Sequence, residues 1–107
     1  YEKYYGGDFN DYLYKYPGLS EEAMNWLADR GCVNVGIDSP SVDSSVAMKD
    51  RGYWAHKVCR ERKVLNVENM ANLNEVACTK FTFSCLPLKM RGGTGSPVRA
   101  VAIYFEE

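Results

Sequence analysis

Apolar residues recur along this chain at spacings that alternate between helical and strand periods. Phe9, Tyr12, Leu13 and Tyr16 fall at intervals of about three and four, which predicts a short helix with one aromatic face. The turn chemistry of Tyr16-Pro17-Gly18 ends it. Ser20 then offers an N-cap, Glu21 and Glu22 suit the positive end of a helix dipole, and Gly31 supplies a stop. Between them Ala23, Met24, Leu27 and Ala28 form an apolar stripe with Trp26 beside it, so a helix is predicted over 20–31. Cys32 to Val35 is apolar except for Asn34 and predicts a short buried strand, which runs out into the polar loop SPSVDSS.

A further helix is predicted from Ser45 to about Arg62. Its stripe of Val46, Met48, Tyr53, Ala55, Val58 and Cys59 is partial, and Gly52 interrupts it. KVLNV reads as the next strand. ENMANLNEV then turns helical, with Met70, Leu73 and Val76 at helical spacing. In CTKFTFSCLPLKM the pattern alternates around Phe81, Phe83 and Cys85, while VRAVAIYF is an apolar run suited to a central strand. RGGTGSP joins the two as a hairpin-type connection. About four strands and three helices interleave in this way, which makes the fold class α/β. The 107 residues read as one domain, with an aromatic lead-in over 1–18 and an α/β core over 19–107.

Composition narrows the function classes. With 46% hydrophobic and 25% charged residues the chain has the balance of an ordinary folded domain. A formal net charge of −1 offers no basic field for nucleic acid and no polybasic patch for a membrane. No apolar run approaches the roughly 20 residues that span a bilayer. The opening YEKYYGGDFNDY is polar and aromatic, without an apolar leader, and the chain begins on tyrosine, as a processed product or a piece of something longer would. Cys32, Cys59, Cys78 and Cys85 form no CxxC pair and each lies in an apolar or helical pattern. Reduced, buried thiols and a cytoplasmic location are the expectation.

Most candidate chemistry fails on its own terms. GGTGSP lacks the Lys-Ser/Thr of a phosphate loop and joins two strands rather than opening a helix. No serine sits in a GxSxG elbow, and the one histidine has no nucleophile motif near it. His56 and Glu68 remain. Glu68 follows VLNV at the C-terminal edge of a strand, where α/β folds place ligands. His56 lies twelve residues earlier, on a helix that would pack against the sheet. An imidazole and a carboxylate suit zinc or manganese, but a protein site normally needs at least three ligands, and the pattern does not place Asp38 or Asp43 beside them. Two readings stay open: a metal half-site, or two unrelated polar residues at element ends.

Several segments, taken in order, resemble the C-terminal part of the cyclase family, which includes bacterial kynurenine formamidases and isatin hydrolases. They are YEKYYGG, YPGLSEEAMNWLADRG, GIDSPSVD, His56, ENMANL and LPLKMRGGTGSPVRAVAI, and together they span nearly the whole chain. The resemblance implies the C-terminal portion of a swivelling β/β/α fold. It further implies one or two divalent metals, zinc or manganese, hydrolysis of amide-type C–N bonds in small and often aromatic molecules, and assembly into dimers or larger oligomers. It makes His56 and Glu68 metal ligands, and it offers Tyr4 and Tyr5 as walls of a pocket for a flat substrate. The family's motif His-x-Gly-Thr-His-x-Asp-x-Pro-x-His lies upstream of these segments and is absent here, since the chain has one histidine. The expected protein is therefore the C-terminal half of a metal-dependent hydrolase, inactive alone, whose partner is the missing N-terminal half or another copy of itself. The alternative is a truncated pseudoenzyme that serves as a binding or assembly module and holds no metal.

Overall fold

Helix capping sets the first elements in the computed structural model, which describes residues 7–105. The Asp8 side chain accepts from the Asn10 amide at 2.8 Å and starts α1, Phe9–Tyr14. Ser20 Oγ accepts from the Ala23 amide at 3.2 Å and starts α2, Glu21–Asp29, as its sequence predicts. Strand β1, Asn34–Gly36, begins two residues later than expected. The Cys32 amide is still bonded back to the Leu27 carbonyl at 3.1 Å, so the chain leaves the helix end only after it. β1 pairs in parallel with β2, Leu65–Val67, in the register Asn34↔Leu65, Val35↔Asn66 and Gly36↔Val67. Parallel pairing requires a crossover, and the intervening segment supplies it as helix.

That crossover is two helices, where the spacing predicted one. α3 covers Ser45–Lys49 and α4 covers Trp54–Arg62. Arg51 and Tyr53 take left-handed φ values of 55° and 47°, on either side of Gly52. A side chain at Gly52 would meet the Trp54 ring at 2.8 Å, so the glycine lets that ring fold back over the break. α4 packs against α2 around a core of Met24, Val42, Ala55, Val58, Cys59 and Val64, with Leu27, Val35 and Ile37 at its margin. Each fully buried aliphatic side chain here contributes about 1.5–3 kcal/mol. The Arg62–Asp29 ion pair at 2.7 Å joins the same helices at the surface, where such pairs contribute less than about 1 kcal/mol.

ENMANLNEV does not become a helix. Asn69 and Asn72 hold left-handed φ values of 57° and 60°, and only Leu73–Val76 forms a 3-10 turn. The reason lies in the partners of the backbone. The Asn69 amide bonds the Ser39 carbonyl at 2.9 Å and the Met70 amide bonds the Ile37 carbonyl at 3.0 Å, which ties the segment to residues 37–39 in the left-handed conformation that breaks the helix. Met70 also lies flat on Gly36, where an added Cβ would come within 2.4 Å of its sulfur.

The described residues fall into two compact units, Tyr1–Ala71 and Asn72–Glu107. The elements above other than the 3-10 turn belong to the first. In the second, β3, Thr82–Pro87, pairs antiparallel with β4, Val98–Ile103, from Thr82↔Ile103 to Pro87↔Val98. Cys78, at φ 61°, lies before the strand, which is shorter than the alternation suggested. VRAVAIYF was suited to a central position, but among the described residues its strand has one neighbour and alternates between half-buried and exposed positions. The thiols differ too. None of the four forms a disulfide, yet Cys59 alone is buried, Cys32 and Cys85 are half-buried, and Cys78 is exposed. With four α-helices and four strands among the described residues, the fold class is α/β as expected. No described helix is long and apolar enough to cross a membrane.

Candidate functional site

Strand β2 ends at Val67, and the next residue, Glu68, turns its carboxylate toward the loop at 39–45. Glu68 Oε1 accepts from the Val42 amide at 3.0 Å and from Asn66 Nδ2 at 3.1 Å. That loop is itself rigidly held. Ser39 Oγ donates to the Ser41 carbonyl at 2.7 Å, and Ser41 Oγ accepts from the Asp43 amide at 3.2 Å. Residues 16–19 run alongside it, with the Leu19 amide on the Val42 carbonyl at 2.7 Å and the Ser45 amide on the Tyr16 carbonyl at 3.1 Å. Gly18 makes the approach feasible: a Cβ there would stand 2.2 Å from the Ser44 nitrogen.

Asp43 is 0% exposed, and its carboxylate is fully used. Oδ1 accepts from the Ala55 amide at 2.6 Å, and Oδ2 accepts from the His56 amide at 3.1 Å. The same Oδ2 lies 2.6 Å from His56 Nδ1. A buried carboxylate needs such partners, because its desolvation is otherwise costly. The His56 side chain, 39% exposed, then runs from this buried anchor toward solvent. Its far nitrogen, Nε2, lies 3.5 Å from Glu68 Oε1.

Tyr16, Tyr12 and Cys59 lie around the site. Tyr16 is buried, and that burial pushes its phenol above the ordinary tyrosine range, with the negative charges of Glu68 and Asp43 adding to the effect. The Tyr12 hydroxyl bonds Asn69 Oδ1, next to Glu68. Cys59, one turn after His56, is a buried thiol pushed up first by desolvation and then by Asp43. Tyr4 and Tyr5 lie outside the described residues.

The donor set can be tested against a divalent cation directly. Bonds of about 2.0–2.2 Å to nitrogen and oxygen put two neighbouring ligands of a tetrahedral ion roughly 3.4 Å apart. The 3.5 Å between Nε2 and Oε1 matches this. Asp43 stands on the far side of the imidazole, so the spacing suits two ligands of such an ion, from His56 and Glu68, and Asp43 offers no third. Among the described residues no group of three or more His, Cys, Asp or Glu is arranged to hold a metal.

Comparison with known proteins points to one family. A family described as "Putative cyclase" matches residues 1–44. The chain is 31% identical to a kynurenine formamidase of Bordetella petrii over 80% of its own length and 39% of that protein. It is 40% identical to the kynurenine formamidase of Paracidovorax citrulli over 75% of its length and 35% of that protein. An isatin hydrolase solved with the product analogue thioisatinate superposes with a TM-score of 0.73 at 28% identity, over 80% of this chain and 33% of that one. The chain belongs to the cyclase family. It spans a third to two fifths of the length of these cyclase-family relatives.

Within this cyclase-family chain, sequence reasoning reached His56 and Glu68 but left Asp43 unplaced. One signal pointed to it. Gly52 and Tyr53 precede α4, and neither side chain can cap a helix, so the first amides of that helix required an acceptor from elsewhere.

Proposed function

We propose that this chain contributes one side of a metal-dependent hydrolytic site, with His56 Nε2 and Glu68 as two ligands of zinc or manganese. The reaction would open an amide-type C–N bond of a small aromatic molecule. One observation carries the reading: a nitrogen and a carboxylate oxygen face each other at ligand-to-ligand distance, with the other ring nitrogen already engaged by a buried aspartate. The relatives favour the reaction class, since a formamidase and an isatin hydrolase both act on amide-type bonds. A divalent ion bound there supplies Lewis-acid polarisation of a carbonyl and a water of lowered pKa.

The chain's own residues have separate tasks in this scheme. His56 offers a neutral nitrogen ligand on a helix start that cannot swing. Glu68 offers a negative oxygen, and the Val42 amide and Asn66 fix which way it points. Further ligands and a proton-transferring group would come from an upstream segment or from another copy, so the chain alone should turn over poorly.

Because two ligands hold a metal weakly, the described residues also favour a second reading, a binding or assembly module without catalysis. Zinc and manganese titration of the chain, His56→Ala and Glu68→Ala discriminates. Loss of binding in both variants supports the metal site, while equal binding in all three rejects it. Chelator-sensitive hydrolysis of an aryl formamide by the chain would remove the non-catalytic reading.

A further inference from the structure

The start of α4 lacks a cap of its own. Its N-cap residue, Tyr53, is left-handed and makes no side-chain capping bond. The acceptor comes instead from Asp43, which lies before α3 on a different segment and reaches the Ala55 and His56 amides with its two oxygens. The oxygen that takes the His56 amide at 3.1 Å also takes the ring nitrogen of the same residue at 2.6 Å. Backbone and ring of His56 are therefore tied to one atom, which leaves the imidazole little freedom to rotate.

The arrangement also decides where the ring carries its proton. A carboxylate has no hydrogen to give, so the short contact at Nδ1 requires the ring to be the donor. When the imidazole is neutral its hydrogen must sit on Nδ1, and the lone pair of Nε2 must point outward. There it faces Glu68 Oε1, a second acceptor, at 3.5 Å. Two acceptor atoms this close are at odds unless a metal cation or a proton on Nε2 joins them, although the Val42 amide and Asn66 already donate to Oε1.

We propose that Asp43 is the positioning residue of this site, and that it holds His56 in the Nδ1–H tautomer so that Nε2 is always presented as a donor atom toward Glu68. This inference rests on the metal-ligand reading for its purpose, but the tautomer it asserts is measurable without any metal. A single change tests it closely. Asp43→Asn keeps the shape and replaces one acceptor oxygen with a donor amide. If that amide faces His56, it donates to Nδ1, drives the ring hydrogen to Nε2, and opposes the His56 N–H. If it faces Ala55, two donors meet and the first turn of α4 opens.

The measurement is long-range nitrogen–proton correlation on the imidazole of the full 107-residue chain, at a pH where the ring is neutral. The chain has one histidine, so the signal needs no assignment. The unaltered chain should show hydrogen on Nδ1. Asp43→Asn should move it to Nε2 or mix the two forms, and should weaken zinc binding about 10- to 100-fold although both ligands remain. Hydrogen on Nε2 in the unaltered chain overturns the proposal, even if the variant fails to fold. So does an Asp43→Asn variant with unchanged tautomer and unchanged zinc affinity. If zinc binds neither protein, the metal reading above fails, while the tautomer still decides the role of Asp43.

Discussion

His56 Nε2 and Glu68 Oε1 face each other across 3.5 Å although they come from different elements, the first turn of a helix and the residue after a strand. Neither atom owes that placement to its neighbours in sequence alone. The helix start is fixed by Asp43 and the carboxylate by Val42, so two adjacent residues of one loop hold both halves of the pair.

Glu68→Gln separates holding from ligation. The amide oxygen can still accept from Val42 and Asn66, so urea denaturation should find stability within about 1 kcal/mol of the unaltered chain. Zinc affinity should nevertheless fall at least tenfold, because the charge is gone. A variant that keeps full zinc affinity would remove Glu68 from the ligand set.

Gly18→Ala should destabilise the first unit by at least about 1–3 kcal/mol, the usual cost of overpacking a filled space. Its Cβ would lie 2.2 Å from the Ser44 nitrogen and 2.3 Å from the Asp43 carbonyl carbon, and backbone has nowhere to yield. Chemical denaturation with an unchanged slope is the check. A neutral result would mean that the segments 16–19 and 42–45 are not held together as described.

Alkaline pH should lower the stability of the chain through Tyr16. The folded phenol titrates above the unfolded one, so the unfolded state loses its proton first as pH rises past about 10. In that interval the folded state binds more protons and stability falls with pH; the contribution is fully present below it. Tyr16→Phe should flatten this part of the stability curve, and a curve as steep as before would assign the effect elsewhere.

Thiol modification should follow exposure. Cys78 is open to solvent, whereas Cys59 is buried and its thiol is pushed up by desolvation. Mass spectrometry after brief alkylation at pH 8 should find Cys78 labelled first and Cys59 last. Early labelling of Cys59 would show that the α2–α4 core opens readily.

The parts of this fold that were legible in sequence are those that local chemistry decides. Ser20 and the stripe of Met24 and Leu27 announce α2 because the cap and the apolar face lie within one helix. The break between α3 and α4 was only half visible. Gly52 marked it, but left-handed Arg51 and Tyr53 persist where Asp43 and Trp54 hold the segment, and those contacts are tertiary. ENMANLNEV misled for a similar reason: Met70 and Leu73 have helical spacing, while left-handed Asn69 and Asn72 break the run in a segment tied to residues thirty positions earlier. His56 and Glu68 stood out because of residue type and position at element ends. Asp43 did not, because the uncapped helix start that uses it, after Gly52 and Tyr53, lies ten residues further on and names no acceptor.

The double use of Asp43 and Glu68 has an evolutionary consequence. Both carboxylates stabilise backbone amides, so on the proposed reading a descendant that gave up hydrolysis would still be selected to retain them. His56 Nε2 bonds no backbone group, which makes this ring the first place where relaxed selection should show. Across copies of this domain, an intact Asp43 and Glu68 would therefore say little about activity. Replacement of His56 beside them would mark the lineage that had abandoned the chemistry.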